Sequence, residues 1–377
     1  MNLTTRVNKA VEAHIERLNV IDRSLRFLPH SNHREQRIDG LEDKISDQIV
    51  SGRIKPTDHT GMNPMAEHLG ILRNQKFTGM PDSSDQGQTN LIATMATLAE
   101  ERCMRGEPTT FISGDIVDML EVASETLDCE PLRTTDIISP YGFIYLERPL
   151  VVEIGSEHYN NSEGETVGIR AMSWRTSDTV LSHDGTNVGG LCVYIYTDAG
   201  CLRYITGGKH LIPSVIPDST LVLLDTAGWA YNQPWRKPAE GESFGWDGNV
   251  VVAAPDVVIQ RNFMLSLFRF MWQELIVRES ADVPRPLRRG AVRALGIDDP
   301  ITILKLRRAQ HSSESTGDGS RLDHRILVRG HWRNQWYPSL GASTEPEAHR
   351  MIWIAPHVKG PEDAPFRTKP KATAVVR

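Results

Sequence analysis

Between Phe143 and Leu224 the chain carries four runs of β-branched and aromatic residues, Phe143–Val152, Ile169–Trp174, Leu191–Tyr196 and Thr220–Leu224, each bounded by turn-forming residues. Such residues suit a pleated, half-buried surface, and their succession predicts a mainly antiparallel sheet. Everything else must pack on that sheet. Val257–Arg278 is apolar around most of its circumference (Phe263, Met264, Leu267, Phe268, Phe270, Met271), which predicts one long buried helix. Pro284-Arg285-Pro286 then ends it, and Ile301–Leu306, Ile326–Trp332 and Met351–Ile354 complete the sheet. Gln310–Ser320, rich in Ser and Gly, reads as a loop.

Before the sheet the period is helical. Val7–Leu18 is amphipathic, and Thr89–Arg102 places Leu91, Ile92, Met95, Leu98 and Ala99 on one side. Ser113 is a suitable N-cap for a helix through Leu127. Residues 21–84 are rich in Gly, Pro, Asp, His and Asn and read as loops. The expected fold class is therefore α+β: a helical N-terminal part, then a mainly antiparallel sheet with one long buried helix. A length of 377 residues accommodates two domains. They are expected as a mostly helical, loop-rich, acidic region over 1–135 and an α+β domain with a basic C-terminal hairpin over 136–377.

Hydrophobic residues make up 39% and charged residues 24%, the balance of an ordinary globular chain. No apolar run approaches the roughly 20 residues that cross a bilayer. The N-terminus carries charges where a signal peptide needs an apolar stretch. The expectation is a cytoplasmic protein with no membrane partner, in host cytoplasm if a phage encodes it. Cys103, Cys129, Cys192 and Cys201 form no CxxC pair, which argues against a zinc ribbon or a disulfide framework, so all four are expected to be small buried hydrophobes. No cofactor or metal is called for.

Leu223-Leu224-Asp225-Thr226-Ala227-Gly228 imitates a GTPase motif, but its partner phosphate loop is missing. Gly208-Lys209 has Arg203 where the loop's first glycine belongs and His210 where Ser or Thr belongs.

Charge is uneven. From Arg285 to Arg377 there are 17 Lys and Arg against 9 Asp and Glu, a balance of +8 that leaves −14 for the rest of a chain with net charge −6. Either the basic part meets phosphates, or the two parts neutralise each other across an internal interface. The basic part also holds five of the 13 histidines and three of the eight tryptophans within residues 311–357. Read as one strand, Arg325 to Trp336 puts Ile326, Val328, Trp332 and Trp336 on one face and Arg325, Arg329, His331, Arg333 and Gln335 on the other. Trp332 and Trp353 are expected in the core.

The wet face suits RNA. Guanidinium groups bind phosphate bidentately, and Trp336 or Tyr337 at the rim can stack a base. A metal-independent ribonuclease needs a base, an acid and cations on the developing charge. His331 and His349 are the candidates for base and acid. Arg329, Arg333 and Lys359 are candidates for phosphate stabilisation, and Arg325, Gln335, Tyr337, Arg307 and Arg308 for further nucleic-acid contact. Arg285, Arg288, Arg289 and Arg293, unless merely a solvated helix, would join Arg307, Arg308, Arg329 and Arg333 in one surface.

Val328-Arg329-Gly330-His331-Trp332-Arg333-Asn334-Gln335-Trp336-Tyr337-Pro338-Ser339-Leu340, followed by the stretch from His349 to Asp363, resembles a signature shared by a family associated with actinobacteria, their plasmids and their phages. Ser139-Pro140-Tyr141-Gly142-Phe143, ending in Arg148-Pro149-Leu150, is similar to an earlier segment of that family. The resemblance implies a mobile-element setting and no particular activity. Over a few dozen residues, Arg329-Gly330-His331-Trp332 and Trp353-Ile354 with Pro356 resemble the C-terminal part of an anti-CRISPR family that acts on type V-A systems. Its members are associated with recognising a nascent effector chain and lowering its mRNA, which implies RNA or translation as the sphere of action. The segment Asn334–Leu340 departs from that family. The leading expectation is thus a protein directed at RNA, mRNA above all, or at the ribosome. The alternative is a non-catalytic protein that blocks a host or rival protein.

Overall fold

The computed structural model describes residues 2–26, 100–127, 129–153, 166–181, 187–205, 216–273, 276–306, 326–328, 330–345, 348–355 and 357–359. In chain order its helices are α1 (Leu3–Arg26), α2 (Gly114–Ser124), α3 (Ala199–Ile205), α4 (Pro255–Met271) and α5 (Arg285–Leu295), with residues 100–104 also helical. The strands are β1 (Thr109–Ile112), β2 (Tyr141–Glu153), β3 (Thr166–Leu181), β4 (Asn187–Asp198), β5 (Leu221–Ala230), β6 (Trp235–Arg236), β7 (Gly245–Asp247), β8 (Val250–Val252), β9 (Ile276–Ser280) and β10 (Ile301–Leu306). Four short ones follow, β11 (Ile326–Val328), β12 (His331–Trp336), β13 (His349–Ile354) and β14 (His357–Lys359).

The fold is α+β around a seven-stranded sheet of order β5-β4-β3-β2-β1-β10-β9. Pairing is antiparallel except at the middle, where β1 lies parallel to both β2 and β10. Strand alternation then builds two cores. Ile112, Ile144, Val193, Ile195 and Leu304 point to one face, where they meet α2 and α4. Phe111, Phe143, Tyr194, Ile301 and Ile303 point to the other, where they meet α1, residues 103–104 and α5. With both faces covered, the sheet is the middle of three layers.

Gly142 opens β2 under the ring of Trp174, where any Cβ would stand 2.2 Å from Trp174 Cζ2. The indole NH donates to the Ser139 carbonyl at 3.1 Å. The Ser-Pro-Tyr-Gly segment thus acts as a seat for this tryptophan, which packs edge-on against Phe268 of α4 at 5.2 Å.

Four expectations change. The apolar run from Val257 does not stay helical to Arg278: α4 ends at Met271, and Ile276–Ser280 becomes the edge strand β9. β-branched Ile276 and Val277 favour the extended form. Pro284 does not merely stop a helix but is the N-cap residue of α5, with Pro286 in its first turn, where a missing N–H costs nothing. Thr109–Ile112, inside the stretch read as helical, is a fully buried strand. Of the cysteines, only Cys103 is buried, while Cys129 is exposed.

Candidate functional site

The C-terminal arginines and histidines were read from a single strand, which proves to be two. β11 pairs with β14 and β12 pairs with β13, both antiparallel. In the second hairpin Trp332 lies opposite Trp353, Arg333 opposite Ile352, Gln335 opposite Arg350 and Trp336 opposite His349. Paired residues share a face, so His331, Arg333, Gln335 and Arg350 lie on one side and Trp332, Trp336, Trp353 and His349 on the other.

The tryptophan side is anchored, as expected. Trp353 is 1% exposed. Its ring lies 5.4 Å from Trp332, and Phe270 of α4 lies 5.5 Å from Trp332 and 6.3 Å from Trp353. The Trp332 indole NH donates to the Ala123 carbonyl of α2 at 3.1 Å, and the Trp353 amide donates to Gln273 Oε1 at 3.2 Å. The hairpin is therefore a stiff plate on α2 and α4.

Two buried arginines of α4 brace the chain beside it. Arg269 reaches Glu130 and Asp136, each at 3.3 Å, and its guanidinium lies 5.8 Å from the Trp332 ring. Arg261 donates to the carbonyls of Glu130 at 2.8 Å and Gln233 at 3.2 Å. Burial, with the charge of Arg269 nearby, holds Arg261 down to about 9. Both act as struts.

On the outer side, His331 and Arg333 are exposed, and Arg333 Nη2 donates to Gln335 Oε1 at 2.6 Å. Arg350 stacks over the Trp272 ring at 5.8 Å and donates to the Thr135 carbonyl at 3.4 Å. Trp336 and Tyr337, 40% and 38% exposed, stand at the end of β12, where the Trp336 indole donates to the Gly341 carbonyl at 3.1 Å. The structure thus brings Arg333, Gln335, Trp336 and Tyr337 together and adds Arg350 and Trp272. Sequence reasoning passed over Arg350, although it follows His349, and Trp272 gave no local signal.

The two histidines part company. His331 faces Ile354 at one end of the ladder and His349 faces Trp336 at the other. Five residues of strand separate them, about 17 Å, and their side chains leave opposite faces. A base and an acid must both reach one reacting group, and these cannot. His349 Nδ1 lies 3.0 Å from the Glu345 carbonyl, a contact within its own loop. Arg307, Arg308, Arg325 and Arg329 lie outside the described residues; Lys359 is in β14, with its side chain undescribed. The single arginine surface is also divided. Arg333 rides on the α2/α4 face of the sheet, whereas Arg285, Arg288, Arg289 and Arg293 ride on α5 across the sheet from it.

Other chemistry finds little support. Gly241-Glu242-Ser243-Phe244-Gly245 spells a nucleophile-elbow pattern, but it leads from a loop into β7 rather than from a strand into a helix. The GTPase-like Leu223–Gly228 lies within β5, and Gly208-Lys209 falls outside the described residues. Among the described residues no His, Cys, Asp and Glu cluster could hold a metal ion, and no helix is long and apolar enough to cross a membrane. An open groove of about 490 Å³ between α1 and α5 is lined by Glu12, Ile15, Glu16, Pro286 and Leu287, without a nucleophile.

Fold and site together define an α+β protein with a stiff hairpin that exposes arginine, glutamine and aromatic side chains. No family model and no curated protein matches the sequence. Among solved structures, the crystal structure of AcrVA2 is similar at a TM-score of 0.32 and 11% identity, over 86% of this chain and 98% of that one. A likeness so faint carries no argument.

Proposed function

We propose that this protein, of mobile-element origin as its C-terminal signature implies, binds single-stranded RNA on the outer side of its β12–β13 hairpin and does not cut it. The supporting observation is the combination on one rigid plate of guanidinium groups, an amide and exposed aromatic rings. Arg333 and the Arg350–Trp272 stack offer cations to phosphates. Trp336 and Tyr337 offer faces for bases. Binding without cleavage follows from the separation of His331 and His349. His331 sits beside Arg333 as a polar contact rather than as half of an acid–base pair.

Labelled single-stranded RNA, followed by anisotropy and on gels in EDTA, tests this. The protein binds with an affinity that falls as salt rises, the RNA stays intact, and Trp336→Ala with Tyr337→Ala weakens binding by about 10- to 100-fold per stacked base, since each is worth roughly 1–3 kcal/mol. Cleavage abolished by His331→Gln would restore the ribonuclease. Absent or salt-insensitive binding would leave the second reading, a protein partner, because exposed Trp, Tyr and Arg also dominate protein interfaces.

A further inference from the structure

Helix α5 exposes a row of arginines that the hairpin reading does not use. Arg285, Arg288, Arg289 and Arg293 follow one another at steps of three and four, so they share a face with Val292, which is 43% exposed. The opposite face, with Ala291, Ala294 and Leu295, is buried against α1 and the sheet. Arg288 pairs with Asp282 at 2.6 Å. Arg285, Arg289 and Arg293 make no ion pair or hydrogen bond among the described residues.

The row opposes the helix that carries it. The first turn holds no acidic residue, so Arg285 and Arg288 meet the positive end of the helix dipole without relief. Arg285 repels Arg289, and Arg289 repels Arg293, at the i,i+4 spacing. The nearest carboxylates in the α1 groove stand on the flank of Gly290 and Pro286, and Glu16 there already accepts from the Thr220 hydroxyl at 2.9 Å. Nothing in the fold of α5 gains from these charges.

We propose that the α5 row is a second nucleic-acid surface, which takes the phosphate backbone of duplex RNA; the choice of RNA rests on the hairpin reading. From Arg285 to Arg293 the helix axis advances about 12 Å, with a guanidinium about every 6 Å on the 285–289–293 line. Half of α5 is embedded, so it cannot sink into a B-form major groove about 8.5 Å deep. The wide, shallow minor groove of an A-form duplex lets a half-exposed helix reach phosphates along its edges. Each guanidinium can then hold a phosphate through two charge-assisted hydrogen bonds.

Four phosphate contacts give a log–log salt slope of about −3.6, so affinity for a blunt RNA duplex falls roughly 150-fold for a fourfold rise in salt. The triple variant Arg285→Gln, Arg289→Gln, Arg293→Gln retains one contact, with a slope near −0.9. It melts no lower than the parent, because the substitutions remove repulsion. It keeps single-strand binding, and the Trp336→Ala, Tyr337→Ala variant keeps duplex binding. A triple variant that binds the duplex as tightly as the parent overturns this proposal and leaves the hairpin reading intact. A parent that binds neither RNA removes both. Tighter binding of a DNA duplex of the same sequence overturns the assignment to RNA.

Discussion

His14, on the inner side of α1, makes the stability of this protein depend on acidity. The ring is fully buried and stacks on Phe143 at 4.0 Å. Nε2–H donates to the Met104 carbonyl at 3.2 Å, which leaves Nδ1 to accept from the Thr109 hydroxyl at 2.9 Å. That arrangement satisfies a neutral imidazole and has no place for a second proton. Burial accordingly holds His14 down to about 3, from an ordinary 6.5. Below pH 6.5 the unfolded chain takes up a proton here and the folded chain does not. The stability from this site is thus complete above pH 6.5, drains away as pH falls, and stops falling near pH 3. Between pH 7 and pH 5 the loss is about 2 kcal/mol. The assay is denaturant unfolding of the parent and of His14→Gln at both values. Glutamine is polar but does not titrate, so the parent should lose about 2 kcal/mol more than the variant over that interval, whatever the variant's own starting stability. Equal losses would refute the claim that His14 is buried as a neutral ring.

Two further predictions concern buried partners. Glu100 and Arg17 form a bidentate pair, at 2.6 and 2.8 Å, and both are almost wholly buried. Glu100→Gln strands the guanidinium and should cost about 3–5 kcal/mol by denaturant unfolding, while Arg17→Met with Glu100→Leu should recover most of it; a single variant within 1 kcal/mol of the parent would show that water reaches the pair. Trp353→Ala should cost about 3–5 kcal/mol and release the hairpin from α4, read as loss of amide protection in β12; unchanged protection would mean that Trp332 alone holds the plate.

Much of the fold was legible because the sheet announces itself. Ile301–Leu306 was read with its observed limits, and the strands containing Phe143, Trp174 and Tyr196 were found, although shorter than they are. β1 was missed because four residues between Pro108 and Ser113 are too few to show a period. Its parallel partners were illegible for another reason: one lies far along the chain, and parallel pairing leaves no turn signal. His14 and Arg17 were in principle readable. They fall in step with Val7, Ala10, Val11, Leu18 and Ile21, the buried stripe of α1. The hairpin and its tryptophan core were read correctly, but the break between β11 and β12 was not. The opposite placement of α5 and the hairpin depends on which sheet face each element covers, and composition says nothing of that.

The central position of β1 has a consequence for synthesis. Its two neighbours in the sheet are β2, made soon afterwards, and β10, which ends at Leu306. Roughly 190 residues must leave the ribosome between β1 and its second partner, about 10–40 s of translation. Through that interval one side of β1 offers unpaired N–H and C=O groups, an open template for any extended chain nearby. A nascent chain stalled before Ile301 therefore carries a raw edge in the middle of its future core. It is at this stage, rather than as the finished fold, that the protein most needs a chaperone.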